Sequence, residues 1–361
     1  MSKPLSQPQA RRHHPVRNLL WIAVPAVCLA IAGLGWFWTR TAEVEKQQRA
    51  VQAVEALGGS VDYAHDRAKS DGWTRGASEP PGPRGLRRIL GQDFFATVTA
   101  VWLRDTAASD EDLRFLEPLT GIECVDLANT KVSDAGLGHL RGLRNLERLH
   151  LDGTLVTGTG LTELSKHQKL QILQLSNTRV TDVALAPLGK LSALVELTLE
   201  GTEVTDAGVA HLKDLAGLEG LFLSGTKVTD AGLVNLEGLP NLEAIGLDNT
   251  GISDAGLAHL EPLRSLKWLH LEGTSVTDAG LQSLHDLHKL EYVNLKRTAV
   301  TEAGINRLQR ALGRADIYWD GSRSGGDSQD SDPPLKPPFD GPLLDDVLLP
   351  DLMPRDPVRS K

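Results

Sequence analysis

The stretch from Thr226 to Thr250, TKVTDAGLVNLEGLPNLEAIGLDNT, returns at fixed spacing along most of the chain. The threonine that opens it recurs every 24 residues, at Thr106, Thr130, Thr154, Thr178, Thr202, Thr226, Thr250, Thr274 and Thr298. A period of this length indicates a solenoid, in which each unit buries its apolar side chains only against its neighbours. The sequence therefore predicts a row of similar coils.

Each unit contains one predicted strand. In the unit that begins at Leu218, Leu221 and Leu223 alternate with Phe222 and Ser224, so alternate side chains point into the coil and out of it. The period then places strand centres at Val101, Val125, Leu149, Leu173, Leu197, Leu221, Ile245, Leu269, Val293 and Ile317. We expect these ten strands to form one curved parallel sheet.

The second half of each unit predicts a short helix. Thr229 has the hydroxyl of a good N-cap, and Leu233, Leu236 and Leu239 recur every three residues, as in a tightly wound apolar stripe. The cap position is always Ser or Thr, at Ser109, Ser133, Thr157, Thr181, Thr205, Thr229, Ser253, Thr277 and Thr301. A glycine inside a helix costs roughly 1 kcal/mol relative to alanine. We interpret the recurring glycine of DAGL as room for a neighbouring coil.

These units resemble leucine-rich repeats of the cysteine-containing, ribonuclease-inhibitor-like type, with VTDAGLxxLxxL as the helical half. The resemblance covers residues 94–320. It implies an α/β solenoid with a curved parallel sheet on the concave side and short helices on the convex side. Where the family carries Asn or Cys after LxxLxL, this chain carries Thr, so we expect a ladder of threonine hydroxyls bonded to backbone groups along the coils. We also expect Phe94 and Phe95 to close the first end and Leu312 and Trp319 to close the last.

The N-terminal part predicts a membrane anchor. After a basic tail, residues 1–17, about 20 apolar residues without a charge follow within 18–39, enough to cross a bilayer as a helix. Trp21 and Trp38 lie near its ends, as interfacial aromatic residues do. A cleaved signal peptide is the alternative. The excess of positive charge before the segment predicts a single-pass protein of the inner (cytoplasmic) membrane, with its N-terminus in the cytoplasm and its repeats outside.

Two further regions flank the repeats. Residues 40–93 predict a polar helix over 41–57, ended by Gly58 and Gly59, then a linker and a short helix over 86–90. This order, with GQDFF at 91–95, resembles that of membrane-anchored bacterial proteins that carry such repeats. Residues 321–361 are rich in Pro and Asp and predict a disordered tail. Its apolar island, residues 343–353, is either a docking motif or a tolerated segment.

No catalytic motif is found, and we expect neither an enzyme nor a cofactor. The net charge of −9 and the lack of a basic cluster in the repeats argue against a nucleic-acid partner. The pairs His150 with Asp152 and His270 with Glu272 suggest a metal site, but exposed polar side chains on a solvated sheet explain them better. His139, His211 and His259 occupy one repeat position and are interpreted as surface residues. No disulfide is expected between Cys28 and Cys124.

The predicted concave face carries the candidate binding site. In the second half of the repeats, outward-pointing strand residues include an unusual share of the chain's few aromatic side chains. Gly220, Ala244 and Gly246 are expected to leave open space beside Phe222. The first half of the face is polar and acidic, which indicates a basic partner. The candidate site residues are Phe222, Trp268, His270, Glu272, Tyr292, Asn294 and Tyr318.

Two functions fit this sequence. The first is a non-catalytic module that recognises an unidentified protein or peptide through the aromatic part of the concave face. The second is a structural scaffold of the cell envelope without a specific tight ligand, in which the outward aromatic residues only reflect their high strand propensity.

Overall fold

The computed structural model describes residues 37–64, 83–91 and 94–321. The chain divides into two compact units, residues 1–46 and 47–361. In the first unit, the described residues belong to helix α1, residues 37–56, and Arg40 forms an ion pair with Glu43 at 3.3 Å. The rest of α1 and all other described elements belong to the second unit.

One sheet of eleven strands, arranged in chain order, organises the second unit. Strands β2 to β11 are parallel and pair in register at the 24-residue period, so every predicted strand centre lies in a strand beside its counterpart. The strands are β1 Ser60–Tyr63, β2 Val98–Trp102, β3 Cys124–Asp126, β4 Arg148–His150, β5 Ile172–Gln174, β6 Glu196–Thr198, β7 Gly220–Phe222, β8 Ala244–Gly246, β9 Trp268–His270, β10 Tyr292–Asn294 and β11 Asp316–Tyr318.

The first end of the sheet differs from the prediction. Strand β1, which the sequence analysis did not identify, pairs antiparallel with β2 and places Val61 opposite Val101. The side chain of Gln47 donates to the carbonyl of Ala96 at 3.1 Å. This end is therefore closed by β1 and by the part of α1 from Gln47 onward rather than by Phe94 and Phe95 alone, because a strand edge exposes backbone groups that aromatic rings do not satisfy.

The last end follows the prediction more closely. Helix α8 is the longest one after α1, and its N-cap Thr301 accepts a hydrogen bond from the backbone of Gly304 at 3.3 Å. Leu312 is buried in the leucine core and Trp319 packs against that core. Both residues therefore contribute to the closure of this end, as expected.

The helical segments are short because each coil must return to the sheet within 24 residues. The α-helices after α1 are α2 Arg84–Leu90, α3 Asp134–Leu140, α4 Leu185–Leu188, α5 Asp206–Val209, α6 Asp230–Leu233, α7 Asp254–Leu257 and α8 Glu302–Leu312. The 3-10 helices are Asp112–Leu116, Thr159–Lys166, Asp182–Ala184, Ala210–Leu212, Val234–Leu236, Ala258–Leu260 and Gly280–Leu284. Leu233, Leu236 and Leu239 are all buried, which confirms the predicted stripe.

The predicted hydrogen bonds from threonine hydroxyls to backbone groups are confirmed, but they lie within single coils and do not run along the solenoid. Each repeat threonine donates its hydroxyl to the carbonyl three residues earlier in its own coil, at 2.5 to 2.7 Å. Thr226, for example, bonds Leu223. The residue before each threonine has a positive φ, as in Asn249 at 53°, so the chain turns sharply and brings its own carbonyl within reach. These bonds close turns and do not connect coils.

Aspartate side chains connect the coils instead. The carboxylate of Asp110 accepts from the backbone N–H of Ser133 at 2.7 Å and from its hydroxyl at 2.6 Å, one coil further on. The predicted cap Thr229 donates to Asp206 and makes no cap bond to its own helix. Four other predicted caps donate to their aspartate and also accept from the backbone N–H two residues on: Ser133, Thr205, Ser253 and Thr277. The aspartates of this ladder are Asp110, Asp134, Asp182, Asp206, Asp230, Asp254 and Asp278.

The DAGL glycines make room for this ladder. A Cβ atom on Gly136 would lie 2.5 Å from the Oδ1 atom of Asp110, and one on Gly232 would lie 2.5 Å from the Oδ1 atom of Asp206. The interpretation of the recurring glycine as room for a neighbouring coil is confirmed, and the group that needs the room is a carboxylate.

Candidate binding face

The candidate site lies on the strand face, defined here as the strand side chains that point away from the leucine core. Leu149, Leu173 and Leu197 point into the core and are fully buried. The residues on either side of each centre therefore point to the strand face. The polar residues on this face are more buried than the sequence analysis expected.

Aromatic side chains stack at the far end of the strand face. The ring of His270 lies 4.9 Å from that of Tyr292, and the ring of Tyr292 lies 5.1 Å from that of Tyr318. Each pair is tilted by about 35°, and both tyrosines are partly exposed. The three side chains form one continuous aromatic surface across β9, β10 and β11.

Two further aromatic side chains of the strand face, Trp268 and Phe222, differ in exposure and in their contacts. Trp268 is only 5% exposed, with the ammonium of Lys267 at 5.5 Å from its ring centre. Phe222 is partly exposed and lies against Gly246, where an added Cβ atom would be 3.0 Å from its Cδ1 atom. The expected open space at Gly246 is therefore wrong, because the Phe222 ring already occupies it.

A buried polar network occupies the middle of the strand face. His150 is 1% exposed, and its Nδ1 atom lies 2.6 Å from the Oε1 atom of Gln174. At the first end of the network, Arg104 donates to Asp126 at 2.8 Å. The interpretation of His150 and His270 as exposed residues is wrong, since side chains from neighbouring coils crowd them.

Burial changes the protonation of this network. It lowers the pKa of His270 to about 4, and it also lowers the pKa of His150, so both imidazoles are neutral at pH 7. Burial raises the pKa of Glu196 to about 7, although Gln174 and Arg148 favour its ionised form. Among the described residues, no group bonds the Oε2 atom of Glu196.

An acidic row runs along one edge of the strand face, two residues beyond the end of each strand. It consists of Asp152, Ser176, Glu200, Ser224, Asp248 and Glu272. All six side chains are partly exposed. Burial raises the pKa of Asp248 to about 6, and it also raises the pKa values of Asp152 and Glu200.

The seven predicted site residues fall into two groups. The structure places four of them on the partly exposed strand face: Phe222, Glu272, Tyr292 and Tyr318. It buries the other three in the same region: Trp268, His270 and Asn294. Asp248 was missed, although it occupies the same repeat position as Asp152 and Glu200. That shared position is the signal that identifies the acidic row.

The recurring histidines lie outside the strand face. His139 bonds Glu117 at 2.6 Å and His259 bonds Glu237 at 2.6 Å, both across neighbouring coils, and His211 is exposed.

Within residues 37–64, 83–91 and 94–321, no group of His, Cys, Asp and Glu side chains could hold a metal ion. The side chain of Cys124 is buried on β3, and Cys28 lies outside the described residues.

The predicted membrane segment, residues 18–39, lies outside the described residues except for 37–39. No helix in the part of the chain that the structure describes is long and apolar enough to cross a membrane. The predicted tail, residues 321–361, is described only at residue 321.

The 24-residue period, the in-register parallel sheet and the short helices define the chain as a leucine-rich-repeat solenoid. Internalin C2 from Listeria monocytogenes is 25% identical, with a TM-score of 0.47 and coverage of 58% of this chain and 82% of that one. A second Listeria monocytogenes internalin is 17% identical, with a TM-score of 0.42 and coverage of 61% and 91%. A leucine-rich-repeat protein of Leptospira interrogans is 20% identical, with a TM-score of 0.44 and coverage of 56% of each chain. No protein-family model and no curated protein matches the sequence.

Proposed function

We propose that the chain is a non-catalytic module that recognises a protein or peptide through its strand face and is tethered to a bacterial membrane by residues 18–39. In this proposal the repeats lie outside the cytoplasm, and the partner is basic. The observation that carries the proposal is the stacked surface of His270, Tyr292 and Tyr318 beside the acidic row. Exposed aromatic anchors within a polar rim are typical of binding sites on proteins.

The partly exposed rings of Phe222, Tyr292 and Tyr318 provide the variant that tests recognition. Trp268 is left out of this variant, because truncation of a buried side chain would also remove packing. The variant is Phe222→Ala, Tyr292→Ala and Tyr318→Ala in the full chain. Three exposed apolar residues away from the strand face, Phe115, Val183 and Val234, provide the matched alanine control.

The three proteins are solubilised in detergent and used as baits for membrane extract of the source cell, with mass spectrometry as the measurement. We expect one protein to be retained by the unmodified chain and by the control, and to fall by about tenfold or more with the strand-face variant. Thermal unfolding verifies that all three baits are folded. If all baits retain the same proteins, the strand face is not the recognition site and the envelope scaffold becomes the better proposal.

A further inference from the structure

The acidic row carries its charges at a regular interval. Asp152, Glu200 and Asp248 each lie two residues beyond the end of their strand, on β4, β6 and β8. Because β4 to β8 pair in one register, the carboxylates fall on one line, with Ser176 and Ser224 between them. A charge therefore recurs at every second coil.

These three carboxylates lack a direct ion pair with Lys or Arg in the described part of the chain. The nearest basic side chain to Asp248 is the neutral His270, at 3.7 Å. Glu272, which ends the row, differs because Arg297 lies 3.5 Å away. The positive charge of Arg104 offsets that of Asp152 in part, whereas no Lys or Arg among the described residues offsets the charge of Glu200 or Asp248.

Two of the carboxylates are held in fixed positions. The Oδ1 atom of Asp152 accepts from the backbone of Ser176 at 2.8 Å, and the Oδ1 atom of Asp248 accepts from the backbone of Glu272 at 2.6 Å. The Oδ2 atom of each aspartate takes no part in this backbone hydrogen bond. A carboxylate held in this way can accept a bond from a ligand without first losing conformational freedom.

A second acceptor beside the row also lacks a donor. Glu196 is the first residue of β6, the strand that Glu200 follows; it is 5% exposed, and its charge interacts with those of Asp152 and Glu200. Within the described residues its Oε2 atom has no hydrogen-bond partner. A buried acceptor without a donor costs stability, which a donor from a ligand would recover.

The interval matches one backbone conformation of a ligand. Parallel strands lie about 4.8 Å apart, so two coils span about 9.6 Å. A polyproline II helix rises about 3.1 Å per residue with three residues per turn, so every third side chain points the same way after about 9.3 Å. In an extended β-strand, a residue three positions on points to the opposite side. The partly exposed ring of Phe222, two residues before Ser224 of the row, adds an aromatic surface of the kind on which polyproline II segments dock.

We infer that the acidic row binds a polypeptide segment in the polyproline II conformation that crosses the strands and carries Lys or Arg at every third residue. Cations at successive turns would pair with Asp152, Glu200 and Asp248. This inference rests on the proposed function and names the chemistry of its partner.

The test uses the full chain in detergent and three fluorescent peptides with four lysines each. In the first, Lys-Pro-Pro repeats four times. The second has the same composition with the lysines in one block, and the third is an alanine-rich helix with a lysine at every seventh residue. Fluorescence anisotropy measures the affinity, and added salt measures the ionic contribution.

We expect the first peptide to bind about tenfold or more tightly than the block peptide. The substitution Glu200→Gln should then weaken its binding by about three- to tenfold, as expected for the loss of one partly exposed ion pair. Asp214→Asn, which removes one exposed charge outside the strand face, is the matched control and should leave the affinity unchanged. A thermal unfolding curve verifies that Glu200→Gln is folded.

Equal binding of all three peptides would overturn the inferred spacing, and tightest binding of the helical peptide would overturn the inferred conformation. If no peptide binds while the membrane extract still yields a partner that depends on the strand face, this inference fails and the proposed function stands. If neither assay shows binding that depends on the strand face, both fail.

Discussion

Glu196 shows how strongly neighbouring coils control a single side chain. In sequence it is one acidic residue among many, yet on β6 it is 95% buried between Gln174 and the acidic row. Burial favours the neutral carboxyl group and raises its pKa to about 7, although the positive charge of Arg148 acts to lower that pKa. A side chain in the predicted polar and acidic half of the strand face is therefore a titrating group near neutral pH.

The first prediction concerns Glu196→Gln. The pKa of Glu196 is higher in the folded protein than in the unfolded chain, so the folded protein keeps a proton that the unfolded chain loses. The wild type therefore loses stability as the pH rises from about 4.5 to about 7. Above pH 7 we expect the free energy of unfolding of the variant to exceed that of the wild type by roughly 3 kcal/mol, because the glutamine amide does not ionise in the buried site. At pH 5 the difference should fall to about 1 kcal/mol or less.

Urea unfolding at pH 5 and pH 8.5 measures this difference. Glu261→Gln, at an exposed position, is the control and should follow the wild type at both pH values. If the free energies of unfolding of Glu196→Gln and the wild type differ by the same amount at both pH values, burial does not control the protonation of Glu196.

At the level of elements, the aspartate ladder explains why helices of only one or two turns are stable. Isolated helices of this length do not form in water. Each aspartate of the ladder bonds both the backbone N–H and the hydroxyl at the start of the next helical segment, as Asp182 does with Thr205 at 2.7 and 2.8 Å. The ladder is interrupted once, because Gly158 occupies an aspartate position and offers no carboxylate to Thr181.

The second prediction compares two glycines of helix α3. Alanine in place of glycine normally stabilises a helix by about 0.5–1 kcal/mol, and we expect this for Gly138→Ala, because an added Cβ atom there meets no atom within 4 Å. Gly136→Ala should instead destabilise the protein by about 1–3 kcal/mol, since its Cβ atom would lie 2.5 Å from the carboxylate of Asp110.

Chemical denaturation of both variants measures the two effects. In an Asp110→Ala background, Gly136→Ala should lose part of its cost, because the closest group is gone while Leu113 and Val132 remain 3.1 Å from the added Cβ atom. An equal effect of Gly136→Ala and Gly138→Ala would contradict the role of the glycine in the ladder.

At the level of the whole molecule, the proposed function depends on where the repeats lie. The basic tail before residues 18–39 predicts a cytoplasmic N-terminus and places the binding face outside the cytoplasm. A basic partner would then be encountered in the cell envelope or beyond it.

The third prediction concerns this topology. An enzyme that is active only outside the cytoplasm, fused after Lys361, should be active in living cells. The same fusion without residues 18–39 should be inactive, because the chain then lacks its export signal. A silent reporter on the intact chain, with the fusion protein present by immunoblot, would place the repeats in the cytoplasm and overturn the proposed location.

Much of the fold could be predicted because the period of 24 residues is a local property of the chain. The alternation around Leu221 specifies a strand, and the spacing of Leu233, Leu236 and Leu239 specifies a short helix, whatever the rest of the chain does. Repetition then brings each strand beside its counterpart, since every coil has the same length. The class of fold and the side on which the aromatic residues lie follow from these regularities.

The tertiary structure alone decided which polar side chains are exposed and which groups they bond. Asp110 bonds Ser133, and His150 contacts Gln174, only because successive coils bring residues 23 or 24 positions apart into hydrogen-bond distance. The pairing of β1 with β2 breaks the period, so no repeat pattern indicates it. The sequence by itself determined the solenoid and the location of its candidate face, whereas contacts between coils decided the burial, protonation and alignment of the charges on that face.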